Sequence, residues 1–254
     1  SASNWTPSSV ASLFTGLYPT SHKYNPPKVI STARKARSGL FLSSKFLTIT
    51  QLLKSRDYQT AAVSSNPWIG PEFGFSVGFD KFTSLRRLDA DKVVESAEGL
   101  LDHFEQTSSR PFFLYLHFMD PHNPYVAHPE SEGSFGDDIS SYFNFNYSER
   151  VNAKIRLYDG EIFNVDINFG KFLESLKRRG LYESTKIVII ADHGEQFDEH
   201  GKIGHGRYLY NEEVRVPLIM KAGGPPQIID EVVSNIDVMP TIFEFIGLPP
   251  PKEL

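Results

Sequence analysis

The chain of 254 residues contains no cysteine, and this absence removes several kinds of chemistry at once. A disulfide framework, a thiolate metal site and a cysteine nucleophile are all excluded. The absence slightly favours a cytoplasmic location, because disulfides are typical of exported proteins, although many exported proteins also lack cysteine.

Long apolar runs and long basic runs are missing as well. No stretch has the length of a membrane-spanning helix or the pattern of a signal peptide, so we expect no membrane segment. The net charge is -5 at pH 7, and the most basic segment, residues 31–45, is short and interrupted by uncharged residues. That segment is typical of a surface loop, and we expect no nucleic-acid partner.

The apolar residues that are present, 40% of the chain, are grouped in short runs that alternate with helical patterns. This alternation predicts an α/β fold with a largely parallel central sheet and helices on both faces. Strands are predicted at 59–65, 112–119, 186–193, 216–222 and 231–237, and helices at 7–15, 47–56, 90–106, 147–179 and 238–246. The long loops at 23–45 and 124–146 are expected to be active-site walls or mobile segments.

The predicted strand KIVIIAD is continuously apolar and leads directly into Asp192, His193 and Gly194. Ligands gather at the carboxyl ends of strands in open α/β sheets, so this is a predicted site. One carboxylate and one imidazole suit a divalent cation, namely Mg²⁺, Mn²⁺, Ca²⁺ or Zn²⁺. His200 and His205 follow in glycine-rich surroundings, where imidazoles can approach a small anion. The alternative is that Asp192 caps a turn and the histidines are exposed loop residues.

A second strand, FFLYLHFM, leads into Asp120 and His122, and prolines on both sides of His122 fix the backbone there. His122 is therefore either a site residue or a turn residue that packs on Tyr125. His117 lies inside the strand and is expected to be a core residue or a support for the site. The remaining histidines are expected at the surface: His22, His103 and His128.

The segment SNWTPSSVASLFTGLYPTSH, residues 3–22, predicts a helix with Thr6 or Ser8 at its N-cap. The N-terminus of a helix offers free backbone N–H groups to an oxyanion such as phosphate or sulfate. A hydroxyl at that position is a candidate nucleophile.

Six segments, in this order, resemble the sulfatase family of the alkaline-phosphatase superfamily. They read TPSSVASLFTGLYP, LLKSRDYQTAAVSSNPWIGPEFGFSVGFD, FFLYLHFMDPHNPY, IIADHGEQFDEHG, LYNEEVRVPLIM and SNIDVMPTIFEFIGLPPP. The resemblance covers nearly the whole chain and implies an alkaline-phosphatase-like α/β fold. It also implies a metal-dependent hydrolase that acts on a small anionic ester.

The resemblance places the nucleophile at Thr6, where most sulfatases have a cysteine or serine that matures to formylglycine. Ser9 matches the serine of the family motif, and Val10 replaces its arginine. Threonine cannot form the usual aldehyde, so a direct alkoxide is implied, as in phosphodiesterases and phosphonate hydrolases of the superfamily.

Other site residues carry over one by one. Asp192 and His193 match the metal-site pair, and His122 matches the histidine that contacts the anionic group of the ester. His205 and His200 lie near the position of the lysine before the family's Y-E-E/G segment. The resemblance thus implies three catalytic residues, Thr6, His122 and His205. It implies three substrate-binding residues, Ser9, Asn66 and His200. The family's G-K-W-H motif is replaced by SSNPW, which leaves Asn66 as a polar remnant for substrate binding.

The resemblance further predicts one sulfatase-like domain over residues 1–254, truncated at both ends, because the family's upstream aspartates and its C-terminal subdomain are not represented. Three functions are open at this point. The first is hydrolysis of sulfate esters, and the second is a phosphodiesterase or phosphonate monoesterase activity. The third is a non-catalytic relative that binds an anion or a partner.

Overall fold

A parallel three-stranded sheet forms the centre of the computed structural model, which describes residues 1–24, 42–43, 45–107, 109–134 and 147–250. Its strands are β1 (Gln59–Ser64), β2 (Lys81–Ser84) and β3 (Phe112–His117), in the order β2-β1-β3. Most of the basic segment 31–45 and much of the loops at 23–45 and 124–146 lie outside the described residues.

The second half of the chain contributes four further strands: β4 (Ile187–Ile190), β5 (Gln196–Phe197), β6 (Ile203–Gly204) and β7 (Leu218–Lys221). β7 pairs with β4 in antiparallel orientation, and β5 and β6 form a short antiparallel hairpin. The strands predicted at 59–65, 112–119, 186–193 and 216–222 are thus confirmed as β1, β3, β4 and β7.

Seven α-helices are present in the described part of the chain: α1 (Thr6–Thr15), α2 (Pro19–His22), α3 (Ile49–Lys54), α4 (Ala90–Thr107), α5 (Glu149–Arg178), α6 (Asn211–Val214) and α7 (Val238–Phe245). The five predicted helices correspond to α1, α3, α4, α5 and α7. The N-cap of α1 is Trp5, not Thr6 or Ser8. Among the described residues, no helix combines the length and apolar character that a membrane span requires.

The helices cover both faces of the parallel sheet, as the α/β prediction requires. Successive side chains of β3 point to opposite faces. Phe113 and Tyr115 pack in the core beneath α1, α3 and α7, while Leu114 and Leu116 pack in the core beneath α4 and α5. These two apolar layers hold the sheet in place. Because β1 and β3 run parallel, their carboxyl ends lie at the same edge of the sheet.

Three sequence predictions are wrong. Residues 231–237 form no strand: Val232 is fully exposed, and Ser234 and Asp237 cap each other to begin a 3₁₀ helix at Asn235–Asp237. His22 is not a surface residue, because its Nε2 lies 2.9 Å from Ser12 Oγ inside the core. His128 is not a surface residue either, since its side chain is only 11% exposed.

The strand β4 is less buried than its apolar sequence predicts. Ile189 is 39% exposed, and Ile219, opposite it on β7, is 60% exposed. The reason is topological: within the described residues β4 pairs with β7 alone, so it is not an inner strand of the parallel sheet.

Candidate active site

The N-terminus of α1 meets the end of β4, and this contact brings together the first group of predicted site residues. Thr6 Oγ1 lies 3.0 Å from His193 Nε2. The same nitrogen lies 3.5 Å from Asp192 Oδ2. Thr6 is only 6% exposed, so its hydroxyl faces these two side chains in a largely buried setting. The predicted nucleophile and the predicted metal-ligand pair therefore form one cluster.

The hydrogen bonds of His193 determine which ring nitrogen carries the proton. His193 Nδ1 lies 2.9 Å from the carbonyl oxygen of Gly194, which can only accept a hydrogen bond. Nδ1 therefore carries a proton, and Nε2 faces the Thr6 hydroxyl. In this arrangement Nε2 can accept a hydrogen bond from Thr6 or bind a cation.

The carboxylate of Asp192 has the properties of a cation ligand. Burial alone would raise its pKa, but His193, His117 and the Thr6 hydroxyl together hold the pKa below its usual range. One oxygen, Oδ1, accepts a hydrogen bond from the backbone N–H of His193. The other, Oδ2, is buried and has no hydrogen-bond partner among the described residues. A buried carboxylate oxygen without a hydrogen-bond partner, next to an imidazole nitrogen, fits a divalent cation.

Side chains of α1 and of the segment before α7 hold the backbone of Asp192 in place. Ser9 Oγ donates to the carbonyl oxygen of Asp192 at 2.6 Å, and Asn235 Nδ2 donates to Ser9 Oγ at 2.8 Å. Ser9 is 1% exposed. The structure thus places Ser9 as a support for the end of β4, whereas the sequence prediction made it a substrate contact.

Gly194 follows this pair because no side chain fits there. A Cβ atom on Gly194 would lie 2.0 Å from the carbonyl oxygen of Glu212. The backbone N–H of Gly194 also donates to the carbonyl oxygen of Glu213 at 2.7 Å. The glycine serves the close approach of α6, and its φ is not positive.

Two further imidazoles complete the cluster. The ring of His205 lies 4.1 Å from that of His193 and 5.5 Å from that of His122, measured between centroids. The structure therefore brings together residues from three distant parts of the chain. Thr6, His122 and His205 were the three predicted catalytic residues.

His205 and His122 differ in the charge state that their surroundings favour. Burial alone would lower the pKa of His205, but its Nδ1 lies 2.9 Å from Glu195 Oε1, and that carboxylate raises the pKa above the usual value. Burial lowers the pKa of His122, and the nearby His205 and Arg87 lower it further. His205 is thus the imidazole that favours the cationic form, and His122 favours the neutral form.

Glu195 was not identified from the sequence as a functional residue. Its side chain is 6% exposed, and it contacts both His205 and the hydroxyl of Tyr125, which donates to Oε2 at 2.9 Å. The signal in the sequence was its place three residues after Asp192, within the densest group of acids and histidines.

Asn66 and His200 make other contacts. Asn66 Oδ1 accepts a hydrogen bond from the backbone N–H of Trp68 and so stabilises the turn after β1. His200 stacks on Tyr210 with ring centroids 3.7 Å apart, and its Nε2 lies 3.3 Å from Glu212 Oε2. No described contact joins either side chain to Thr6 or Asp192.

Comparison with known proteins identifies the family. The chain is 27% identical to an endo-4-O-sulfatase from Bacteroides thetaiotaomicron over 56% of this chain and 30% of that protein. It is 26% identical to the low-salt glycan biosynthesis sulfotransferase Agl7 from Haloferax volcanii over 97% of this chain and 53% of that protein. A phosphonate monoester hydrolase from Silicibacter pomeroyi has the same fold, with a TM-score of 0.77, 18% identity, and coverage of 99% of this chain and 65% of that one.

The chain spans between 30% and 38% of the length of three curated relatives that it matches. A family model described as Sulfatase matches residues 1–248, which is nearly the entire chain. The central parallel sheet and its flanking helices have the alkaline-phosphatase-like architecture of the structural relatives. The chain belongs to the sulfatase family.

Proposed function

We propose that this chain carries the catalytic core of a sulfate ester hydrolase in which the unmodified Thr6 hydroxyl attacks sulfur. The observation that carries the proposal is the convergence of Thr6 Oγ1, His193 Nε2 and the unpartnered Asp192 Oδ2 in one largely buried cluster. Family membership and the similarity to a named sulfatase favour a sulfate ester as the substrate class.

Asp192 and His193 would hold the divalent cation on which the family in general depends. When bound, this cation supplies positive charge that lowers the pKa of a nearby hydroxyl and stabilises an anionic ester. The identity of the cation, among Mg²⁺, Mn²⁺, Ca²⁺ and Zn²⁺, is part of the test below.

The remaining chemistry belongs to side chains of this chain. Thr6 reacts as its alkoxide, after its hydroxyl proton has passed to solvent. Its Oγ1 forms a bond to sulfur while the bond from sulfur to the leaving oxygen breaks, which leaves a sulfated Thr6. His205 Nε2, protonated because Glu195 raises the pKa of the ring, donates its proton to the leaving alcohol. Water then attacks sulfur, His205 takes a proton from that water, and the break of the bond between Thr6 and sulfur releases sulfate.

A second candidate, a phosphodiesterase or phosphonate monoesterase, agrees with Val10 as well as a sulfatase does, because Val10 disfavours only doubly charged esters. Val10 occupies the position of the family's arginine and is 1% exposed within the apolar core, so it offers no positive charge to a substrate. A site with fewer cations favours a substrate of single charge. Sulfate monoesters, phosphodiesters and phosphonate monoesters all carry one negative charge near neutral pH.

Turnover of 4-nitrophenyl sulfate, bis(4-nitrophenyl) phosphate and 4-nitrophenyl phosphate by the natural protein with each of the four cations tests the proposal. We expect the sulfate ester to be hydrolysed fastest and the doubly charged phosphate monoester slowest. Thr6→Ala should abolish measurable turnover, Thr6→Ser should retain part of it, and Thr20→Ala, at an exposed hydroxyl of α2, should change nothing. Full activity of Thr6→Ala, or an oxidised Thr6 in a peptide mass spectrum, would contradict the role of Thr6.

A further inference from the structure

Three potential metal ligands lie together outside the Thr6 cluster. Asp120 follows the end of β3, His128 lies further along the same loop, and Glu161 projects from α5. One ligand atom from each of the three lies within 4.8 Å of the other two. Among the described residues, these three form the one group of histidine and acidic side chains whose ligand atoms lie this close together.

Two atoms of this group are buried without a hydrogen-bond partner among the described residues: Asp120 Oδ2 and His128 Nε2. Glu161 is 4% exposed. Its Oε1 accepts a hydrogen bond from the backbone N–H of Val126 at 2.6 Å, and its Oε2 lies 3.4 Å from His128 Nε2. Buried polar atoms are rarely left without a partner, so these two require an explanation.

The group is also short of positive charge. A carboxylate oxygen of Asp120 lies within 4.8 Å of one of Glu161. Two buried carboxyl groups repel each other unless a proton or a cation lies between them. A proton shared by the two carboxyl groups would make no contact with His128 Nε2, which lies 3.4 Å from Glu161 Oε2. A cation satisfies all three side chains.

We propose that Asp120, His128 and Glu161 bind a divalent transition-metal cation, separate from the cation of the Thr6 cluster. Two carboxylate oxygens and one imidazole nitrogen form a ligand set that Zn²⁺ and Mn²⁺ accept, while an imidazole ligand disfavours Ca²⁺. Asp120 and His128 enclose the loop that carries His122, and Glu161 lies on α5. The cation therefore fastens the His122 loop to α5.

The packing of the loop against α5 agrees with this role. A Cβ atom on Gly160 would lie 3.0 Å from Ser131 Oγ and 3.9 Å from the ring of His128, so the helix approaches the loop closely there. Glu161 is the next residue of the helix. A cation at this point joins two segments that are already in contact.

The test measures metal content, so its result does not depend on turnover. The chain is stripped with a chelator, reloaded with Zn²⁺ and dialysed, and bound zinc is determined by atomic emission. In the background Asp192→Asn with His193→Gln, which removes both ligands of the Thr6 cluster, we expect one equivalent of zinc to remain. Adding Glu161→Gln or His128→Gln should remove that equivalent. Adding Glu132→Gln, at an exposed residue of the same loop, should not.

A second measurement does not require the ligand variants to fold. Co²⁺ added to the Asp192→Asn, His193→Gln background should give the visible absorption of cobalt with nitrogen and oxygen ligands, and Zn²⁺ should remove it. The absence of both bound zinc and the cobalt band would overturn the proposal and favour a shared proton. Retention of zinc in the Glu161→Gln and His128→Gln variants would overturn it too. An inactive Thr6 cluster with zinc still bound at Asp120 would contradict the proposed hydrolase and leave this site intact.

Discussion

The ends of β3 and β4 carry the same residue types and differ in charge. Each strand leads into an aspartate with a histidine close by, Asp120 with His122 after β3 and Asp192 with His193 after β4. The pKa of Asp120 is raised to about 6, because burial and Glu161 both oppose ionisation. The pKa of Asp192 is lowered, because two imidazoles and the Thr6 hydroxyl outweigh its burial.

The comparison shows that the neighbours decide the role of a buried carboxyl group. Asp192 has donors arranged around its ionised form, which prepares it for cation binding at a reacting centre. Asp120 has a second acid beside it, so it requires a cation or a proton simply to be stable. Under the two proposals above, the same local sequence pattern gives a chemical site at one strand end and an anchoring site at the other.

Replacement of the two aspartates tests this contrast most strongly. Asp192→Asn should lower kcat/KM by about 1,000-fold, because it removes the ionised oxygen beside Thr6 and His193. Asp120→Asn should lower kcat/KM by less than about tenfold, because its effect reaches the reaction only through the His122 loop. Steady-state kinetics on both variants measures the difference. Equal losses would show that the two strand ends do not have distinct roles.

The end of β4 should also be the less tolerant of added volume. Gly194→Ala places a methyl group against the backbone of α6, 2.0 Å from the carbonyl oxygen of Glu212, and should destabilise the chain by about 3 kcal/mol. Gly99→Ala is the matched control, because a Cβ at Gly99 in α4 meets nothing within 4 Å. It should stabilise the chain by roughly 0.5–1 kcal/mol, since alanine favours a helix more than glycine does. Chemical denaturation of the two variants gives both values, and a neutral Gly194→Ala would be inconsistent with the close approach.

Much of this arrangement could be predicted from local patterns. The helical periodicity of 90–106 and the apolar run of 112–119 identify α4 and β3, because each pattern is complete within one segment. Asp192 and His193 could be proposed as ligands because they follow a strand directly. The residues 231–237 were misassigned because neighbouring valines suggest a strand, while strand formation requires a partner that this segment lacks.

What the sequence could not supply is contact between distant segments. The burial of His22 depends on Ser12 and Tyr24, and that of His128 depends on a helix that begins well after it. Glu195 acquires its role only when the fold places His205 beside it. None of these contacts leaves a periodic signal, so all of them require the tertiary structure.

His22 adds a third case to the comparison of Asp120 and Asp192. It shows how burial shifts the pKa of a side chain that has no opposite charge beside it. Burial lowers the pKa of His22 from 6.5 to about 4, although a backbone contact at Ser8 opposes the change. The unfolded chain therefore takes up a proton near pH 6.5 that the folded chain does not accept until about pH 4. Stability should be fully present above pH 6.5 and should fall by about 2–3 kcal/mol as the pH decreases to 4.

Denaturation of the parent and of His22→Gln at several pH values isolates this contribution. The parent should lose more stability between pH 6.5 and pH 4 than the variant does, because glutamine does not titrate. Parallel pH profiles for the two proteins would show that folding does not lower the pKa of His22.

The smallest expected effect concerns Glu195, which gives His205 the positive charge that His22 and His122 lack. Glu195→Gln removes the carboxylate that raises the pKa of His205, so burial should then lower that pKa. A smaller fraction of His205 is protonated at pH 7 as a result, and kcat/KM should fall by about tenfold. The alkaline limb of the pH–rate profile should move to lower pH, because the proton donor is lost earlier.

Glu212→Gln, beside the exposed His200, should leave both the rate and the profile unchanged. A uniform loss of rate in Glu195→Gln with an unmoved alkaline limb would show that Glu195 only supports Tyr125 and the loop, and that a different group donates the proton.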